Sequence, residues 1–167
     1  SKDQVHYLVN VLRVSSGMKL SLFNEEFGEW VGELIDLTKK LGIIRIDYQL
    51  KPVTKESGPW LAFSPLKKSR TDFIVEKATE LGIERLIPVF TDFTGPSRIN
   101  IVRLSAIARE AAEQCGRLSV PLVEDALNLI DFIKGWPMDR LLFYGDETGN
   151  GTSLKTVIKE AKIGTDK

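Results

Sequence analysis

Leu61-Ala-Phe-Ser-Pro-Leu-Lys-Lys-Ser-Arg-Thr-Asp-Phe-Ile-Val-Glu-Lys-Ala-Thr-Glu-Leu-Gly-Ile-Glu-Arg-Leu-Ile-Pro88 reads as strand, basic loop, helix and second strand. The apolar run Trp60 to Phe63 stops at Pro65. A loop then carries Lys67, Lys68 and Arg70, and a helical period runs to Gly82 before a second apolar run, Leu86 to Phe90. This is one βαβ unit. In open parallel sheets ligands collect where strand carboxyl ends face helix amino ends, so residues 67–72 are the first place to expect a site.

Downstream the alternation continues, with a helix about residues 99–115, a strand at Leu122 to Glu124, a helix about 126–134, a strand at Leu141 to Tyr144 and a helix about 154–161. Strands alternating with helices predict a parallel α/β sheet. The helix after the basic loop is expected to start at a Ser69 or Thr71 cap. Its buried stripe would be Ile74, Val75, Ala78 and Leu81, with Glu76, Lys77 and Glu80 opposite and Phe73 among them. The next helix carries Ile101, Leu104, Ile107, Ala108, Ala111, Ala112 and Cys115, a stripe of mostly small residues suited to close packing.

Upstream the grammar differs. Residues 5–13 allow one or two helical turns, and strands follow at Lys19 to Phe23 and Trp30 to Ile35 around a polar connection containing Gly28. Ile44, Ile46, Tyr48 and Leu50 alternate with Arg45, Asp47, Gln49 and Lys51, which predicts a strand buried on one face. Residues 1–51 thus form a β-rich module, residues 52–59 have the Pro- and Gly-bounded composition of a linker, and residues 60–167 form the α/β part.

Composition narrows the function classes. Lys plus Arg equals Asp plus Glu at 23 each, so any nucleic-acid footprint is a local patch. One cysteine, Cys115, excludes an intrachain disulfide, and with one histidine, His6, a structural zinc site has too few soft ligands. No run approaches the length of a membrane span, and the expected location is cytoplasmic, without metal or membrane.

Four groups could carry chemistry. Lys67, Lys68 and Arg70 are either a solvated loop or, beside free helix N–H groups, a phosphate grip. Glu76, Lys77 and Glu80 are either a surface ion-pair cluster or part of a site. Gln114 and Arg117 flank a helix C-terminus, where the dipole already accounts for an arginine and an amide could read a base edge. Tyr144, Gly145, Asp146 and Glu147 open a glycine-rich turn that matches neither phosphate-loop pattern; its carboxylates suit hydroxyls or amines. Cys115 is expected to be inert core, His6 has no triad partner at a recognisable spacing, and these spacings alone specify no reaction.

His-x-x-x-x-Val-Leu-Arg (6–13 with Gly17), Leu-Lys-Lys-Ser-Arg-Thr-Asp-Phe (66–73), Glu-Lys-Ala-Thr-Glu-Leu-Gly (76–82) with Pro88, and Glu-Ala-Ala-Glu-Gln-Cys-Gly-Arg (110–117) with Pro121 occur in that order. Together they resemble the ribosomal RNA small subunit methyltransferase E family over nearly the whole chain. The resemblance implies a PUA-like RNA-binding barrel followed by a SPOUT-type α/β domain with a trefoil knot that binds S-adenosylmethionine. It also implies methylation of N3 of a uridine in small-subunit (16S) ribosomal RNA by a homodimer. By position it makes Arg13, Lys68, Arg70, Gln114 and Arg117 RNA contacts and Tyr144, Gly145, Asp146 and Glu147 cofactor contacts; it names no catalytic base. The family's Gly-Pro-Glu-Gly-Gly loop, its arginine- and threonine-containing knot segment and its first strand are not in these 167 residues, so the fragment alone is expected to be inactive. The alternative is a non-catalytic RNA-binding module; a metabolite-binding α/β domain using Asp146 and Glu147 is a third reading.

Overall fold

Alternating apolar and charged residues build an antiparallel meander of β1 (Lys19–Asn24), β2 (Gly28–Leu37) and β3 (Gly42–Lys51), in that spatial order. The computed structural model describes residues 2–24, 26–38, 41–53 and 57–161, without the side chains of Lys2, Asp3 and Lys68. Residues 54–56 of the expected linker therefore lie outside the described residues. Gly28 begins β2 at φ +75°, and a Cβ there would lie 2.3 Å from the Lys51 carbonyl oxygen, so only glycine fits where β2 meets the end of β3. Ahead of the meander, α1 (Lys2–His6) runs into a π-turn, Tyr7–Val11. Arg13 follows at φ +49°, in a left-handed conformation uncommon outside glycine.

The strand pairing follows the pattern, but the expected one-sided burial of β3 does not. Ile46, Tyr48 and Leu50 are each about half exposed, at 48%, 51% and 50%. Alternation sets which way a side chain points; burial needs a second layer over that face. In β2 the buried positions are Gly28, Gly32 and Leu34.

Across the meander, Glu29 accepts a hydrogen bond from the Ser21 hydroxyl and lies 3.0 Å from Lys51 Nζ. The Ser21 hydroxyl first, then Lys51, hold the Glu29 carboxyl below its ordinary range. Because the folded state prefers the carboxylate, this contribution to stability is complete above the unfolded pKa and disappears as pH falls through the lowered folded value. Urea titrations of the parent chain and Glu29→Gln are expected to differ at neutral pH and to converge in acid. A difference that grows as pH falls contradicts the assignment.

The second sheet is parallel. β4 (Trp60–Phe63) pairs with the central β5 (Arg85–Phe90), which also pairs with β6 (Leu122–Val123) and, further along, β7 (Leu127–Asn128). α2 (Lys68–Glu80) connects β4 to β5, and α3 (Ile101–Cys115) connects β5 to β6. Val75 and Ala78 of α2, Leu104 and Ala108 of α3, Leu86 and Val123 form the core, and Leu61, Phe63, Ile99, Ile101 and Ile107 pack around it. Alanine at 108, 111 and 112 keeps α3 close to its neighbours.

Several expectations are corrected. The α2 cap is Lys67, whose side chain makes no cap bond; Thr71 instead points back at the loop. Leu81 is 82% exposed, because it is the cap residue after the last helical turn. Cys115 is exposed rather than core: residues 113–116 are all exposed and Gly116 turns the chain left-handed at φ +72°. Leu127 and Asn128, expected in a helix, pair with Val89 and Phe90, so that helix, α4 (Leu129–Lys134), starts later.

By contact the chain divides into Ser1–Leu129 and Ile130–Lys167. In the second unit Phe132 meets Trp136 edge-on at 5.3 Å, and α5 (Leu154–Glu160) is capped by Ser153. The expected strand at Leu141 to Tyr144 is not formed, and these residues are exposed. A strand exists only through its ladder, and among the described residues no segment pairs with this one.

Candidate functional site

The carboxyl ends of β4 and β5 release two loops that reach the amino ends of α2 and α3. The first is closed by Thr71, only 3% exposed, whose hydroxyl accepts from the Leu66 N–H at 2.9 Å and donates to the Leu66 carbonyl at 3.0 Å. This bridge sets the curve that presents Lys67 and Arg70. The second loop, residues 91–100, is tied to the first by Ser64 Oγ, 2.7 Å from Thr94 Oγ1. Thr94 Oγ1 also accepts from the Thr91 N–H at 2.8 Å, and the Thr94 N–H donates to the Thr91 carbonyl at 3.0 Å.

At the helix starts, Asn100 caps α3 by accepting from the Arg103 N–H, and the Arg103 guanidinium donates to the Asp72 carboxylate of α2. The two helix amino ends are thereby clamped, and between the loops lies a cleft of about 620 Å³ lined by Pro65, Leu66, Thr71, Pro96, Arg98 and Arg103, among others. That volume falls within the range of roughly 300–1,000 Å³ usual for small-ligand clefts. Two arginines, Arg98 and Arg103, line it, Arg103 being paired with Asp72, and the loop that supplies Pro65 and Leu66 goes on to the exposed Lys67 and Arg70. The arrangement can hold an anion with an apolar or planar body beside it.

Of the residues expected from sequence, the structure brings Arg70 to this edge, exposed in the first turn of α2. Lys68 begins the same helix, but its side chain lies outside the described residues. Gln114 and Arg117 sit at the other end of α3, 15 residues long and therefore roughly 20 Å away. Gln114 is exposed. Arg117 is half-buried and donates from Nη1 to the Thr79 carbonyl at 2.9 Å and from Nε to Ser119 Oγ at 3.0 Å, tying the end of α2 to the loop after α3. Arg13 lies exposed after the π-turn.

Tyr144, Gly145, Asp146 and Glu147 are all exposed, Tyr144 at 83%. Asp146 accepts from the Thr148 N–H at 2.9 Å and from its hydroxyl at 2.7 Å, and these bonds, the backbone one first, keep its carboxyl below the usual range. The carboxylate is engaged in its own turn. On the outer face of α2, Lys77 lies 2.8 Å from Glu80, 2.9 Å from Glu76 and 5.9 Å from the Phe73 ring centre, a surface pairing that raises the Lys77 pKa through Glu80 and then Glu76.

Sequence reasoning missed Arg98, Arg103 and Phe93. The available signal was the second βα loop itself: Pro96-Ser-Arg98 ahead of an Asn100 cap stands at the same strand ends as the basic loop.

Residues 56–165 match the RNA methyltransferase domain family, and residues 1–47 match the RNA methyltransferase PUA domain. Ribosomal RNA small subunit methyltransferase E of Rickettsia conorii is 33% identical over 147 residues, covering 88% of this chain and 59% of that protein. The protein of that name from Buchnera aphidicola (subspecies Acyrthosiphon pisum) is 30% identical over 174 residues, covering 98% and 68%. A Legionella pneumophila protein solved in complex with the bound cofactor SAM superposes with a TM-score of 0.73 at 26% identity, over 81% of this chain and 59% of that one. A Neisseria gonorrhoeae ribosomal RNA small subunit methyltransferase E solved with S-adenosyl methionine superposes at 0.70, with 24% identity over 82% and 59%, and bears on the fold alone. The chain spans about three fifths of the length of the Rickettsia relative.

Proposed function

The chain belongs to the ribosomal RNA small subunit methyltransferase E family, and from that premise we propose that the whole protein transfers a methyl group from S-adenosylmethionine to N3 of a uridine in small-subunit (16S) ribosomal RNA. The observation that carries this reading is the cleft of about 620 Å³ at the carboxyl edge of the parallel sheet, lined by Arg98 and Arg103 and bordered by the loop that carries Lys67 and Arg70. With Arg103 paired to Asp72, Arg98 and the loop cations Lys67 and Arg70 leave a local positive excess, which is what a site for a phosphate backbone requires.

The same proposal includes module boundaries at 1–51, 52–59 and 60–167, the trefoil-knotted SPOUT form of the α/β half, a homodimer and a cytoplasmic location. RNA contacts would come from Arg13, Lys68, Arg70, Gln114 and Arg117. Tyr144, Gly145, Asp146 and Glu147 would meet the cofactor, whose part when bound is to supply an activated methyl group. As they stand these four form an exposed turn that does not enclose S-adenosylmethionine. The role of this chain's own residues is therefore to bind and orient RNA, so that the uridine N3, once its proton is removed, lies in line with the donor; such positioning supplies much of the rate in group transfer.

The test is incubation of the whole protein with isolated small ribosomal subunits and methyl-labelled S-adenosylmethionine, followed by nucleoside mass spectrometry of the RNA. Label in 3-methyluridine is the expected result. Label in another nucleoside overturns the N3 assignment, and no label overturns the enzyme.

A further inference from the structure

Phe93 is 98% exposed, yet it does not sit on a loose tail. Its turn, Thr91 to Thr94, is closed by the Thr94 N–H to Thr91 carbonyl bond and by the Thr91 N–H to Thr94 hydroxyl bond, and is fastened to the end of β4 through Ser64. A bare aromatic ring held out by three hydrogen bonds is apolar surface kept in water, which folding alone does not favour. Five residues on, the same loop carries Arg98, which lines the cleft. Arg103, by contrast, is committed to Asp72, and Arg98 makes no ion pair among the described residues.

We propose that Phe93 is a stacking platform for an unpaired base of the RNA substrate, and that Arg98 grips the backbone phosphate next to it where the strand enters the cleft. This rests on the RNA-directed reading above and adds to it how RNA is recognised. A ring exposed on both faces accepts any base by stacking, whereas a base inside a duplex is already stacked, so the platform selects single-stranded over double-stranded RNA. Within residues 91–100 Asp92 and Arg98 balance, and the loop tied to them through Ser64 and Thr94 adds the exposed cations Lys67 and Arg70. The two contacts differ in kind. Stacking on Phe93 is insensitive to salt, whereas the phosphate contact of Arg98 releases counterions.

Fluorescence anisotropy with the 167-residue chain and a labelled uridine-rich 15-nucleotide RNA, alone and annealed to its complement, separates them. Phe93→Ala is expected to weaken binding of the single strand on the order of 10-fold with an unchanged salt slope, to leave duplex binding alone, and to leave the melting temperature within a degree or so; Phe93→Tyr is expected to bind like the parent. Arg98→Gln is expected to lower the salt slope by about one. If the parent binds the RNA and Phe93→Ala binds equally well, or Phe93→Tyr falls as far as Phe93→Ala, the stacking proposal is overturned while the RNA-directed reading stands. If the parent binds neither RNA at low salt, the stacking proposal is overturned, while the whole-protein reading is decided by the methyl-transfer assay.

Discussion

Leu104→Ala is expected to lower the unfolding free energy by about 3 kcal/mol, within the range of roughly 2–5 kcal/mol for truncation of a buried leucine. Leu104 is fully buried on α3 and shares its cluster with Val75 and Ala78 from α2, Leu86 from β5, Ala108 and Val123. Two of these neighbours are alanines and two are valines, short side chains that cannot swing into the vacated space, so the cavity persists and its cost adds to the lost transfer energy. Alanine's better helix propensity returns at most a few tenths of a kcal/mol. Against the roughly 5–15 kcal/mol total of a typical domain this is a large fraction. Urea denaturation measures it, with Leu104→Met as the volume-conserving control expected to cost less than about 1.5 kcal/mol. Equal midpoints for the two variants would show that Leu104 is not central to this core. The consequence reaches the site, because the same packing of α2 on α3 holds the two helix starts either side of the cleft.

Arg117→Ala is expected to cost about 2 kcal/mol of stability, the second largest effect, through loss of charge-assisted hydrogen bonds. The guanidinium meets the Thr79 carbonyl in the last turn of α2, where carbonyls lack a helical partner and a positive charge is favoured. Thr79 is itself fully buried, and once the arginine is gone its carbonyl is left with backbone donors of the helix cap, such as the Gly82 N–H at 3.1 Å. Arg117→Lys keeps the charge but not the paired donors to Thr79 and Ser119, so an intermediate loss is expected. An RNA contact makes a different prediction: unchanged stability and a salt slope of RNA binding lower by about one. Measuring both on the same variants separates the roles, and an unchanged urea midpoint for Arg117→Ala removes the structural one.

How far the sequence was readable depended on whether the relevant force acts locally. The βαβ unit at residues 60–90 was legible because periodicity, Pro65 and Gly82 all act within a few residues of where they stand. So was the α3 stripe of Leu104, Ala108, Ala111 and Ala112, all of which are buried. Cys115 follows the same period and is nonetheless exposed, since a helix wheel does not say where the covering layer stops. The strand at Leu141 to Tyr144 failed for a related reason: its apolar run is real, but a ladder needs a partner that composition does not supply. Leu127 and Asn128 erred the other way, gaining a partner in β5 that their helical pattern concealed.

For the site the division is sharper. The sequence by itself determined the order of strands and helices, the basic loop at residues 67–70 and its place between a strand and a helix, because chain connectivity and hydrophobic period are properties of neighbours. The ordered motifs also carried the family resemblance. Only the tertiary structure decided that the loop is half of a cleft whose other half comes from residues 91–103, that Arg103 is spent on Asp72, and that Arg117 serves the end of α2. Each of those outcomes depends on which groups 30 or more residues apart come within hydrogen-bond range, and that distance is set by packing rather than by spacing in the chain.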